Sequence, residues 1–274
     1  STDTNAFAGS IAENYHRYLV PLIFDDYARD LAARVRAPEG GRVLEIACGT
    51  GVLTDHLRQA LGDAASLVAT DLSPAMVEAA RTNVGGDGGV QYFPADGTDL
   101  PFPDASFDEV FCQFGVMFYP DKCLGYREAA RVLRPGGTFH FNVWDSLEEN
   151  PFCLLVHETV CGLFPEDPPT FLETPFGYHD TFEIEAELRR AGFTEIETTV
   201  MPGESRAASA QEVALALVAG SPLGTELAES GRMEASIEAV EAAVAETFGE
   251  GPVCAPMQSI AVSAQLPGGG TSRP

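Results

Sequence analysis

Two carboxylates and two glycines carry the most legible chemistry in this chain: Glu45, Gly49, Gly51 and Asp71. The first three lie in VLEIACGTGVLTDHL, Val43 to Leu57, an apolar run that breaks at the glycines and resumes with helical spacing. Glycines between a strand and a helix let the backbone turn with positive φ. They also let a ligand approach the main chain with no Cβ in the way. The helix start behind them offers unpaired N–H groups. Asp71 closes the next apolar run, SLVATD, and an acid at that place in a strand–turn–helix fold bonds the hydroxyls of a ribose.

The spacing also says what the ribose belongs to. A dinucleotide fingerprint reads G-x-G-x-x-G, and here GTGVLT puts Thr54 in the third glycine's place. Glu45 would repel a pyrophosphate and attract an ammonium or a sulfonium. The residues suit a cationic, phosphate-free nucleoside, and S-adenosylmethionine fits with its amino group, sulfonium and ribose.

The elements that must position these residues follow from the patterning. Short strands are expected at Val43–Ala47, in SLVATDL, in VQYFPADG, in SFDEVFCQF and in TFHFNVW after a PGG turn. Helices are expected at Val52–Leu61, from Pro74 behind a Ser73 cap, and at Asp121–Leu133. Pro21 predicts a break between a helix near 9–17 and another near 22–36. After Trp144 the rhythm changes. An amphipathic piece spans 151–163, a helix Phe182–Ala191 and a strand about 194–201. Helices follow near 209–219 and 225–247, then a last strand about 255–265. Alternating strands and helices mean parallel crossovers with helices on both faces of the sheet.

The chain has 274 residues, 45% hydrophobic, with 16 basic and 41 acidic residues and a formal charge of -25. Such a surface repels phosphate backbones, so no nucleic-acid partner is expected. Six cysteines form no CxxC pair and read as buried, reduced thiols of a cytoplasmic protein. The longest apolar runs fall far short of a membrane span. No His or carboxylate spacing argues for a metal. The ends, Ser1–Asn5 and Pro267–Pro274, are expected to be disordered.

Four stretches in order, VLEIACGTG, ATDLSPAMVEAA, FPADGTDLPFPDASFDEVFCQFGVMFYPD and EAARVLRPGGTFHFNVW, resemble the successive motifs of class I S-adenosylmethionine-dependent methyltransferases. The likeness is closest to the ubiquinone/menaquinone C-methyltransferase group of small-molecule enzymes, densely over 40–145 and loosely elsewhere. It implies an α/β fold: a Rossmann-like, doubly wound seven-stranded sheet, mostly parallel with an antiparallel last strand, plus a helical cap. It implies that Glu45 and the backbone of Ala47, Cys48 and Gly49 hold the methionine part, with Gly49 and Gly51 allowing close approach. Asp71 would take the ribose hydroxyls, Leu72 would pack on the adenine and Met76 would wall it. Ala95, Asp96 and Gly97 would read the adenine edge. The other reading of Asp96, a turn-forming acid in ADGTD, stands beside that one. Gln113 and Phe114 would border the methionine moiety. The product would be S-adenosyl-L-homocysteine and the acceptor a small organic molecule.

A methyl sulfonium is already activated, so the protein must hold an acceptor in line and exclude water. A base is needed only for an acceptor that must lose a proton. Of His16, Tyr18, His140, His157 and His179, the candidates kept are His179 and Tyr18; His140 and His157 read as structural. Tyr15, Tyr18, Trp144, Tyr178 and His179 are the expected substrate-side residues. The expected organisation is an N-terminal helical cap at 1–39, a cofactor-binding core at 40–145 and a lid insertion at 146–180. The end of the sheet follows at 181–266, with a helical insertion near 203–250, then a tail at 267–274. Phe152, Phe164, Phe171, Phe176 and Tyr178 suit an apolar or aromatic acceptor, and equally a patch that covers the sheet or forms a homodimer. Two alternatives remain: a protein that binds S-adenosylmethionine without catalysis, and a nicotinamide-dependent oxidoreductase, against which Glu45 and the absent third glycine weigh.

Overall fold

The structure, a computed structural model, describes residues 14–85 and 89–268. Seven strands form one sheet in the order β3-β2-β1-β4-β5-β7-β6. They are β1 Gly41–Ile46, β2 Ala65–Asp71, β3 Val90–Pro94, β4 Phe107–Gln113, β5 Leu133–Trp144, β6 Glu195–Ala207 and β7 Val253–Gln265. Strands β1 to β5 pair in parallel, with Glu45 opposite Ala69 of β2 and Phe111 of β4. β7 runs the other way. The Asp145 N–H donates to the Gln258 carbonyl at 3.1 Å and the Leu266 N–H to the Gly137 carbonyl at 3.0 Å, an antiparallel progression. The doubly wound, mostly parallel sheet with a reversed last strand is therefore the one the sequence implied.

The helices in chain order are α1 Asp25–Ala32, α2 Val52–Leu61, α3 Pro74–Val84, α4 Lys122–Val132, α5 Pro151–Leu163, α6 Glu173–Phe176, α7 Thr181–Ala191, α8 Ala210–Ala214, α9 Pro222–Glu229 and α10 Met233–Phe248. Their starts follow local chemistry. Ser73 Oγ accepts from the Met76 N–H, Asp121 Oδ1 from the Leu124 N–H, and Asp180 Oδ1 from the Phe182 N–H.

Four expectations change. Pro21 does not break the chain into two helices, because Tyr15–Phe24 is wound as a π-helix with Pro21 inside it and leads straight into α1. The wider winding accommodates a residue that has no N–H and whose ring clashes one turn back in an α-helix. β5 begins at Leu133 rather than after the PGG turn, with a register shift in its pairing to β4 between Phe107 and Glu109. β6 runs on to Ala207, well beyond the expected 194–201, whereas β7, Val253–Gln265, falls close to the expected 255–265. The expected helix at 225–247 is two helices, α9 and α10, parted at Gly231, where φ is +70°. Most of the expected helix near 9–17 and of the expected disordered ends lies outside the described residues.

The chain divides into two compact units. One comprises Ser1–Asp26, Asp145–Tyr178 and Pro202–Ser259; the other comprises Tyr27–Trp144, His179–Met201 and Ile260–Pro274. In the second, α1 and α2 bury Ala28, Leu31, Leu53 and Leu57 against Val43, Leu67 and Phe111 on one sheet face. Side chains alternate along a strand, so Glu45 shares that face with Val43. The opposite alternation gives an aromatic core in which Tyr126 of α4 stacks on Phe141 at 5.5 Å and Phe139 meets Phe193 at 6.2 Å. In the first unit, α5 packs on α10 through Phe152 and Phe248, 4.9 Å between rings. Asn150 ties its loop there, donating to the Ser146 and Gln258 carbonyls and accepting from the Gln258 N–H.

Candidate cofactor site

The site grows out of the ends of β1, β2 and β4. β1 carries Glu45 into the interior, 1% exposed, and Ala47 then turns with φ +57°. The Glu45 Oε2 atom is buried without a hydrogen-bond partner, and so is the Thr54 hydroxyl in the first turns of α2. Burial pushes the Glu45 carboxyl up to about 8; the nearby Thr54 hydroxyl opposes this without reaching hydrogen-bond geometry, and the Asp71 charge adds to it. A buried carboxyl with an idle oxygen needs a donor or a cation, which it does not find among the described residues.

Asp71 is held by the main chain. Its Oδ2 accepts from the Gly49 N–H at 2.9 Å and its Oδ1 from the Ser73 N–H at 2.8 Å. A carboxylate oxygen has two lone pairs, so each keeps one for a diol. Leu72, the next residue, is 72% exposed, a bare apolar side chain beside a polar anchor. Met76 is half-buried in the first turn of α3.

The two glycines of the turn do different work. Gly49 brings its N–H to Asp71 at φ +54°. Gly51 sits at φ +93°, and a Cβ there would fall 2.7 Å from Val84 Cγ2 and 3.1 Å from Ala80 Cα. Gly51 allows the close approach of α3.

At β3, Ala95 bonds its N–H to the Asp71 carbonyl, and Asp96 Oδ1 accepts from both the N–H and the hydroxyl of Thr98. The turn-forming role of Asp96 is thus real, and it occupies one oxygen only. Gly97 is buried against the Tyr119 hydroxyl and Ile46. At β4, Gln113 is half-buried opposite Asn142, and Phe114 follows at φ +48°. Ala47 and Phe114 are two of three described non-glycine residues with positive φ, and each follows directly on a neighbouring strand. Such conformations persist only where the surroundings hold them. Asn142 does so for Phe114, its Oδ1 accepting the Phe114 N–H at 3.0 Å. Sequence reasoning missed Asn142, whose signal was an amide inside the apolar run FHFNVW.

The expected cofactor residues, Glu45 to Phe114, all fall in one compact unit. Trp144 and His179 belong to it too, whereas Tyr15, Tyr18 and Tyr178 belong to the other. Trp144 is buried, stacked on Phe114 and edge-on to Tyr27 at 5.5 Å. Tyr15 lies 5.5 Å from Phe24, Tyr178 is buried and His179 half-buried. His140 is a satisfied interior imidazole: Nδ1 is 2.9 Å from the Ser263 hydroxyl and the ring stacks on Phe111. Burial and the charges of Glu45 and Asp71 push the Cys48 thiol far up, which removes it as a nucleophile. No cluster that could hold a metal ion occurs among the described residues, and no helix there is long and apolar enough to cross a membrane.

The strand order places two carboxylates at the ends of adjacent parallel strands around one glycine turn. Residues 44–141 match a family model described as a methyltransferase domain. It is 40% identical over 114 residues to a demethylmenaquinone methyltransferase of Clavibacter sepedonicus, covering 41% of this chain and 45% of that one. It is 41% identical over 101 residues to the ubiquinone/menaquinone biosynthesis C-methyltransferase UbiE of Teredinibacter turnerae, covering 36% and 41%. These matches span less than half the length of either relative. Among solved structures, phosphoethanolamine N-methyltransferase 2 of Haemonchus contortus, bound to S-adenosylhomocysteine, shares the fold. The TM-score is 0.59 at 18% identity, over 93% of this chain and 57% of that one.

Proposed function

We propose that the chain is an S-adenosylmethionine-dependent methyltransferase acting on a small organic acceptor. The observation that carries this reading is the buried Glu45 carboxyl, with Oε2 unpartnered, one strand from an Asp71 whose oxygens are already aimed by main-chain amides. That pair fits a cation at one end of a ligand and a diol at the other. It fits a pyrophosphate badly. S-adenosylmethionine, when bound, supplies an electrophilic methyl group on a good leaving group.

The chain's own residues then bind, orient and exclude water. Glu45 and Thr54 receive the ammonium end, Asp71 holds the ribose hydroxyls, and Leu72 and Met76 cover the adenine. Ala95, Asp96 and Gly97 border its edge, Asp96 through the oxygen that Thr98 leaves free. Phe114, backed by Trp144 and held by Asn142, walls the methyl-bearing side. His179 is the group proposed to take a proton from the acceptor. The names of the relatives support an aromatic, quinone-type ring as acceptor, methylated at carbon or at a phenolic oxygen. The six cysteines are free thiols, Cys254 exposed rather than buried as expected, and the absence of a disulfide among them supports a cytoplasmic setting.

Calorimetry with S-adenosylhomocysteine and NADH, followed by labelled methyl transfer to hydroquinones and phenols, tests the proposal. It requires binding of the first ligand, no binding of the second, and transfer to at least one ring. Tight NADH binding would overturn it. Binding without transfer to any acceptor would reduce the chain to a sensor of the nucleoside.

A further inference from the structure

The compact unit formed by Ser1–Asp26, Asp145–Tyr178 and Pro202–Ser259 contains three arginines, no lysine and twenty acidic residues. One arginine, Arg232, is committed: it donates to the Asp167 carbonyl and carboxylate and lies over the Phe164 ring. The other two, Arg17 and Arg206, line one cavity of 410 Å³. In a unit so short of positive charge, two guanidinium groups on one cavity are a specific feature. The rest of the lining is mixed. Tyr18, Pro21 and Leu22 give it an apolar side, and Glu212 also lines it, its Oε2 engaged by the Ala208 N–H.

The geometry points to a binding site in this cavity for a small molecule bearing a carboxylate on an aromatic body. Its volume falls in the range of small-ligand sites. Arg17 lies over the Tyr18 ring at 5.1 Å and makes no ion pair among the described residues. Arg206 is paired with Glu204 at 2.6 Å, but both side chains are well exposed, and an exposed pair of this kind is worth at most ~1 kcal/mol. An incoming carboxylate exchanges for Glu204 at small cost and gains a second guanidinium from Arg17. Guanidinium groups match a carboxylate with paired N–H donors. Tyr18, Pro21 and Leu22 offer flat and apolar surface to a ring. This site is independent of the nucleoside site, because no residue is shared.

The test is titration of the full chain with 1-naphthoate near neutral pH, read by calorimetry, with 1-naphthamide as the uncharged counterpart. Naphthoate binding that weakens with added salt, and little or no naphthamide binding, is expected. Arg17→Gln and Arg206→Gln should each weaken it roughly tenfold. Arg232→Gln should leave it unchanged, and Glu204→Gln, by freeing Arg206, should tighten it several-fold, a gain that misfolding does not produce. Equal binding of acid and amide overturns the inference. So does naphthoate binding that survives both arginine variants, or no naphthoate binding at millimolar concentration. Glu45→Gln, which should impair nucleoside binding, should leave naphthoate affinity alone.

Discussion

Phe114 lies flat against Trp144, with ring centroids 3.9 Å apart and planes 5° from parallel. The stack joins the ends of β4 and β5, and Tyr27 meets both rings edge-on. It helps to hold Phe114 at a positive φ that a phenylalanine disfavours by ~1–2 kcal/mol. Trp144→Ala should therefore release the turn as well as open a cavity, lowering stability by about 3–5 kcal/mol in urea unfolding. Trp144→Phe, which keeps a ring on Phe114, should lose clearly less. Equal losses would mean that the stack does not hold the turn.

Glu45 makes stability depend on pH. Buried, its carboxyl keeps a proton up to about pH 8, whereas an ordinary one loses it near 4.5. Between those values the folded chain binds more protons than the unfolded chain, so stability falls as pH rises through the window and levels off above it. The full effect has an upper bound of ~5 kcal/mol. Glu45→Gln should match the parent near pH 4.5 and melt at a higher temperature at pH 9. Parallel melting curves across the range would refute this.

Ligand binding should show the same group. Near neutral pH the nucleoside's ammonium should drive the proton off Glu45, releasing up to about one proton per S-adenosylhomocysteine bound. Calorimetry in buffers of different ionisation enthalpy counts it. Methylthioadenosine, which lacks the ammonium, should release none, and Glu45→Gln should abolish the release.

Asp71→Asn places an amide group where two main-chain N–H groups require acceptors. One of the two donors then loses its partner, and the diol loses an ionic acceptor. Affinity for S-adenosylhomocysteine should fall roughly tenfold to a hundredfold, measured by calorimetry. Unchanged affinity would remove Asp71 from the ribose site.

Gly51→Ala should destabilise the protein without any ligand effect being needed. The new methyl would strike Val84 and the α3 backbone at a residue with φ +93°. Strain and clash together should cost about 2–4 kcal/mol in chemical denaturation. A stability loss under ~0.5 kcal/mol would show that α3 gives way freely.

Much of the unit around Glu45 could be read directly from the order of residues. Period-two and helical patterning located β1 to β4, and local chemistry fixed the starts of α3, α4 and α7, because a cap bonds only its own next turn. Glu45 and Asp71 were legible because their strand ends follow from spacing along the chain. What the order of residues could not supply was anything decided by contacts distant in sequence. That Glu45 is buried with an idle oxygen depends on how α2 lies over β1. The role of Gly51 in seating α3, the stacking of Phe114 on Trp144 and the placing of Arg17 and Arg206 on one cavity likewise join residues far apart in the chain. Pro21 shows the limit most plainly: its ring forbids an α-turn locally, yet a π-helical path exists, and only packing selects it.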